Sequence, residues 1–247
     1  MDERPDNLAI YDSSWDSWID MKMFGPASRW LRSLIDDACA AIETEPASIL
    51  DVGCGDGTNT LQLARRFARA QVVGTDFSAT GIASARRHSS QANLKFVHDP
   101  ESRALDAQSD LVCCFEVLEH VEDWRPFLRR IADAARSNVL LSTPTGRMRP
   151  FEVNVGHVRN FARGELEAEM AALGFRPARI AYAGFPFYSP LYRDFCQLTD
   201  AGNSAMTRGQ YGPGRRAISS MLYFLFRHAS TRRRHGDQLV GLFTRAR

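Results

Sequence analysis

A chain of 247 residues, 44% of them hydrophobic, is long enough for one large α/β domain with or without a lid, and apolar enough to bury a core. No apolar run is long enough to span a bilayer, and the opening MDERPDNLAI has no apolar secretion stretch, so neither membrane insertion nor export is expected. The net charge of +2 is uneven: from Arg208 onward nine arginines face one aspartate, a balance of +8, which leaves −6 on residues 1–207. A basic tail of this kind suits an anionic substrate, a membrane surface or a nucleic acid, or is a solvated face. The five cysteines, Cys39, Cys54, Cys113, Cys114 and Cys196, show no CxxC spacing. They read as reduced, buried thiols of a cytoplasmic protein rather than as disulfides or zinc ligands.

Residues 1–25 are rich in Asp, Trp and Met, with Tyr11, Trp15 and Trp18 close together. A helix is expected over 26–43, opened by Pro26, with Trp30, Leu31, Leu34, Ile35, Ala38 and Ile42 at helical spacing. From there strands and helices alternate. SILDVG, AQVVGTD, NLKFVHD, DLVCCFE and NVLLSTP read as five strands. Helices are expected over 57–70, after a Ser78 cap, over 123–135, and over 163–173 ending at Gly174. ARIAYAGF and DQLVGLFTR read as strands six and seven. The expected fold is a Rossmann-like, seven-stranded, mostly parallel sheet with helices on both faces. Several strands are almost wholly apolar, which suits a sheet covered on both sides.

About 50 residues separate strands six and seven, too many for an ordinary loop. The expected division is an N-terminal helical cap (1–43), a cofactor-binding core (44–187), a lid or substrate insertion (188–236) and the last core strand (237–247). Within the insertion, ISSMLYFLF is apolar all round and is followed by RHASTRRR. A buried helix is the first expectation and a membrane-surface helix the second, because the apolar stripe runs into arginines.

The chemistry begins at ILDVGCGDGT. Ligands of parallel α/β sheets bind at the carboxyl ends of the strands. Gly53, Gly55 and Gly57 remove Cβ atoms where a backbone must approach a ligand. A dinucleotide fingerprint would place its last glycine at position 58, which is Thr58; here the spacing is G-x-G-x-G. Asp51, at the strand end, would repel a pyrophosphate and suits a ligand with an amino group and no phosphate. A nicotinamide-dependent dehydrogenase is therefore disfavoured.

ILDVGCGDGTNT resembles the first motif of the class I S-adenosylmethionine-dependent methyltransferases. VVGTDFS is similar to the second motif and FVHD to the third-strand motif. LVCCFEVLEHVED resembles the fourth-strand motif of the small-molecule and quinone-type (type 11/23-like) branch, and LLSTPTG and GHVRNFARGELEAEMAALGF fit the same branch. The resemblance covers about residues 47–175. It implies S-adenosylmethionine as cofactor and S-adenosylhomocysteine as product. It implies that the loop Asp51–Gly57, with Gly53, Cys54 and Gly55, faces the methionine end. Asp76, followed by Phe77, would hold the ribose; Asp99 and His98 would border the adenine; Phe115 and Glu116 would lie near the sulfonium. Tyr11, Trp15 and Trp18 would close over the cofactor, or would pack the first helix.

The resemblance implies in-line methyl transfer to oxygen or nitrogen of a small acceptor, in which alignment does most of the work. A base is needed only where the acceptor starts protonated. His120 and His157 are the candidates, since histidine titrates near neutrality; the alternative is that each only ties loops together. Glu116, Glu119 and His120 have the composition of a divalent-metal site, but one helical turn rarely completes such a site, and no metal is expected. Phe185, Phe187, Tyr188, Tyr192 and Phe195 are expected to line the acceptor pocket or its lid. Late arginines would recognise a phosphate or carboxylate, so the acceptor is read as anionic or aromatic. The alternatives are a lipid-linked or glycan acceptor at a membrane surface, and a cofactor-binding protein without catalysis. A nucleic-acid acceptor is disfavoured: FEVLEH stands where amino-methylating DNA enzymes carry NPPY or DPPY. A monomer or homodimer is expected.

Overall fold

The computed structural model describes residues 7–89, 91–198 and 209–246. Two helices, α1 (Asn7–Phe24) and α2 (Pro26–Cys39), lead into β1 (Ser48–Val52). There follow α3 (Thr58–Arg66), β2 (Gln71–Asp76), α4 (Ala79–His88), β3 (Leu94–His98), β4 (Ser109–Phe115), α5 (Trp124–Ala134) and β5 (Ala135–Pro144). The chain then forms α6 (Pro150–Asn154), α7 (Glu165–Ala172) and β6 (Phe175–Ala183). An irregular helical turn (Phe187–Tyr192), α8 (Arg193–Leu198), α9 (Pro213–Ala229) and β7 (Gln238–Arg245) complete it.

All seven expected strands form one sheet, in the order β3-β2-β1-β4-β5-β7-β6. Neighbours from β3 to β5 are parallel, and β7 runs antiparallel to both β5 and β6. Strand residues alternate between two cores, as the period of two requires. Leu50, Val52, Val112, Cys114, Val139 and Leu141 meet Trp124, Leu128 and Ile131 of α5 and Leu166 and Met170 of α7. Ile49, Leu111, Cys113 and Leu140 meet Trp30, Leu34 and Ile35 of α2, Leu63 of α3 and Phe226 of α9. The adjacent Cys113 and Cys114 thus belong to opposite cores. All five cysteines are free thiols, buried except for the half-buried Cys196.

Pro26 opens α2, and the Trp30, Leu34, Ile35, Ala38 stripe buries its inner side. The helix ends at Cys39 rather than at 43: the Ala40 amide returns to Asp36 and Ala38, and Ile42 falls in the following turn. Ser78 caps α4, accepting from the Gly81 amide as expected. α5 passes into β5 with no loop. Arg245 of β7 donates to the Ala132 and Ala135 carbonyls at 2.7 Å each, supplying partners that the end of the helix lacks.

The insertion is tied to the core by ions. Arg149, buried between β5 and α6, donates to Asp194 at 2.6 Å and lies 3.6 Å from Asp237. Arg193 pairs with the buried Glu152. α9 packs on α2, with the Arg29 guanidinium over the Tyr223 ring and bonded to Ser220. The expectation of a buried α9 is corrected: Ile218, Met221 and Phe224 lie open to solvent while Ser219 and Phe226 face inward. One partner helix covers only one side, and apolar composition does not say how many sides are covered. No helix among the described residues is long and apolar enough to cross a membrane.

Candidate active site

A cavity of about 860 Å³ opens at the carboxyl ends of β1, β2 and β4, roofed by α1. Gly53, Cys54 and Gly55 form part of its wall. The Gly53 and Cys54 amides donate to the Thr75 carbonyl at 2.8 and 2.9 Å, which holds the first loop against the end of β2. Gly55 has a φ of +54°, and a Cβ there would overlap the Trp15 ring. Trp15 also donates from Nε1 to Ser78 Oγ at 3.0 Å and meets Trp18 edge-on; both rings line the cavity, and Trp15 is at the same time buried. Trp15 therefore packs α1 and closes the loop together. The Tyr11 side chain lies outside the described residues.

Asp76 joins the loops, its two oxygens accepting from the Gly55 and Ser78 amides at 2.8 Å each. Asp99 caps the short 3-10 turn Arg103–Asp106, accepting from the Arg103 and Ala104 amides. Both carboxylates and Phe77 border the cavity.

Three of the expected residues do not reach it. Asp51 shares its strand face with Ile49, so it points under α3, where Thr60 donates to it at 2.6 Å and its other oxygen has no hydrogen-bond partner among the described residues. Burial pushes its carboxyl up to about 7. Gly57 starts α3 with a φ of +75°, and a Cβ there would overlap the Phe96 ring; its task is packing. His98 lies one residue from Asp99 on an alternating strand and so points away; its Nε2 meets the Phe77 carbonyl at 3.0 Å. Of the expected aromatic wall, only Tyr188 reaches the cavity. Phe185 and Phe195 are exposed, and Phe187 and Tyr192 pack with the second core.

The end of β4 carries the reactive groups. Phe115 and Glu116 line the cavity, and Glu116 adopts a φ of +55°, a strained conformation for a residue with a Cβ. Its Oε1 accepts from Ser142 Oγ at 2.7 Å and Gln238 Nε2 at 2.8 Å. Glu119 is fully buried; Thr143 donates to one oxygen and the other has no hydrogen-bond partner among the described residues. Burial raises both carboxyls, and the nearby Glu116 raises Glu119 further. His120 Nδ1 lies 3.0 Å from the Gly156 carbonyl, an acceptor that requires the proton on Nδ1 and leaves Nε2 basic. His157 packs edge-on against it at 4.6 Å. Burial lowers His120 to about 4 and His157 to about 3, the latter helped by His120. Both line the cavity as neutral rings. Ligating atoms of Glu119, His120 and His157 all lie within 4.8 Å of one another, close enough for a single cation to span.

Lys22, Arg32, Ser28, Asn154 and Gln238 also line the cavity and carry no motif in the sequence. Arg32 donates to the Lys22 and Met23 carbonyls and fixes the corner between α1 and α2. Gln238 opens β7, whose antiparallel course sets it beside Pro144 at the carboxyl end of β5. Only the topology brings it there.

A family model described as a methyltransferase domain matches residues 24–180. The chain belongs to this family, the class I S-adenosylmethionine-dependent methyltransferases. Among curated relatives of this chain is a ubiquinone biosynthesis O-methyltransferase of Rhodopseudomonas palustris, 35% identical over 126 residues, 46% of each chain. A trans-aconitate 2-methyltransferase of Variovorax paradoxus is 36% identical over 108 residues, 43% of this chain and 42% of its own. The chain spans about half the length of the curated relatives it matches. Among solved structures, the magnesium protoporphyrin IX methyltransferase of Synechocystis with bound S-adenosylmethionine superposes with a TM-score of 0.60 over the whole of both chains at 14% identity. That similarity establishes the fold. The cofactor of the class is S-adenosylmethionine.

Proposed function

We propose that this chain transfers a methyl group from S-adenosylmethionine to a hydroxyl oxygen of a small molecule. Several features support the cofactor's fit to this cavity. The Gly53–Gly55 loop lines the cavity, Asp76 and Asp99 stand at successive strand ends, and the 860 Å³ volume has room for cofactor and acceptor together. In this reading the loop Gly53–Gly55 meets the methionine end, Asp76 the ribose and Asp99 the adenine side. When bound, the cofactor supplies an electrophilic methyl on a positively charged sulfur with a good thioether leaving group.

The observation that carries the choice of oxygen is His120. A hydroxyl must lose its proton on methylation, and the His120 ring, its tautomer set by Gly156, presents Nε2 to take it; burial keeps the ring unprotonated at neutral pH while making it a weaker base, which favours an acidic hydroxyl such as a phenol. The acceptor hydroxyl gives its proton to His120 Nε2 as its oxygen takes the methyl. Glu116, held by Ser142 and Gln238, orients the acceptor, and Trp15 and Trp18 keep water from the reacting atoms. Relatives named as O-methyltransferases lend support. The test is S-adenosylhomocysteine release across a panel of phenols, alcohols and amines. Hydroxyl acceptors should turn over, and His120→Ala should lower kcat by about 10²–10⁴-fold. Turnover of amines alone, or an unchanged kcat in the variant, rejects the proposal.

A further inference from the structure

Helix α9 turns one face away from the cavity and the cores. Successive helical residues turn by about 100°, so Ala217, Ile218, Met221 and Phe224 share one face, and all four are exposed. Ile218 is 58%, Met221 65% and Phe224 64% exposed. Leu191 and Phe195, in the segment next to α9, are 55% and 54% exposed. An apolar area of this kind on a folded chain marks a contact surface. Arg216 and Arg227 border the face along one side of the same helix. From Pro213 to Gly236 the sequence holds six arginines and no acidic residue. Among the described residues, Arg216, Arg227, Arg233 and Arg234 have no carboxylate partner.

We infer that the outer face of α9 docks on an anionic lipid surface. Charge decides between this and a second copy of the chain. A two-fold contact through the face would set Arg216 and Arg227 of each copy against the same residues of the other, with no acid on the face to offset them. Lipid phosphates supply the missing countercharge, and the apolar residues enter the acyl boundary in the manner of an interfacial amphipathic helix. On the inner face of α9, Phe226 packs edge-on against Tyr188, which itself lines the cavity. The same helix therefore joins the docking face to the cavity wall. The inference stands apart from the choice of acceptor, and its test reads binding alone.

The full chain is sedimented with phosphatidylcholine vesicles, and with vesicles containing one-third phosphatidylglycerol. The expected result is binding to the anionic vesicles, little binding to the neutral ones, and release by high salt. M221S/F224S and Arg227→Glu should each weaken the partition by about tenfold or more. Both should keep the wild-type melting temperature and S-adenosylhomocysteine affinity, because these side chains are outside the core and the cavity. Wild-type protein that stays in the supernatant overturns the inference, as does M221S/F224S binding vesicles like wild type. A vesicle-free dimer that M221S/F224S converts to monomer assigns the face to a second copy and overturns it as well.

Discussion

His120→Asn tests the buried histidine pair at the centre of the site. Burial lowers His120 from 6.5 to about 4, a preference for the neutral ring of about 3 kcal/mol. The unfolded chain takes up this proton first, near its ordinary pKa. Stability is therefore fully present above about pH 6.5 and is lost as the pH falls towards 4. Integrated between pH 7 and pH 5, His120 alone removes about 2 kcal/mol. Asp51, Glu116 and Glu119 oppose this, since a carboxyl raised by burial loses stability as the pH rises. The comparison of variant with wild type isolates the histidine. Asn cannot titrate in this range and keeps a donor for the Gly156 carbonyl. Urea unfolding at pH 7 and pH 5 should show a pH-dependent loss smaller by about 2 kcal/mol in the variant than in wild type. The same ring, acting as base, places the acid limb of kcat/KM near pH 4 rather than 6.5. Equal pH slopes in the two proteins, or an acid limb near 6.5, would refute the neutral buried base.

Other perturbations probe separate links. Gly55→Ala sets a Cβ against the Trp15 ring at a left-handed φ and should raise the S-adenosylhomocysteine Kd by about tenfold or more, read by calorimetry. Trp15→Ala in that background should recover part of the loss. Arg245→Ala removes the guanidinium from the Ala132 and Ala135 carbonyls and should cost about 1–3 kcal/mol of stability with no change in cofactor affinity, read by denaturant titration. Chelation by EDTA should leave turnover unchanged, because the proton goes to an imidazole; loss of activity restored by a divalent cation would move Glu119, His120 and His157 to a metal role.

The seven strands were legible because each is a short apolar run bounded by turn residues, and the near-continuous DLVCCFE announces a strand covered on both faces. The glycine loop was legible down to its spacing. The side chains around it were less so. His98 and Asp99 are neighbours in sequence, yet strand alternation sends one to the cavity and the other to the Phe77 carbonyl. Asp51 sits two residues before Gly53, and the same alternation buries it beneath α3. Gln238 and Lys22 enter the site from opposite ends of the chain, and no local pattern reports a contact that the sheet order and the α1 packing create. The exposure of α9 was invisible for a related reason: composition gives the apolarity of a helix, while tertiary packing decides which face is covered.

Methyl transfer by this chain requires that the cavity at the β1, β2 and β4 ends hold S-adenosylmethionine. Calorimetric titration with S-adenosylhomocysteine and with NAD tests it most directly, with Asp76→Ala alongside. Saturable binding of S-adenosylhomocysteine, none of NAD, and a marked loss of affinity in the variant are expected. Binding of NAD with no response to S-adenosylhomocysteine would contradict it.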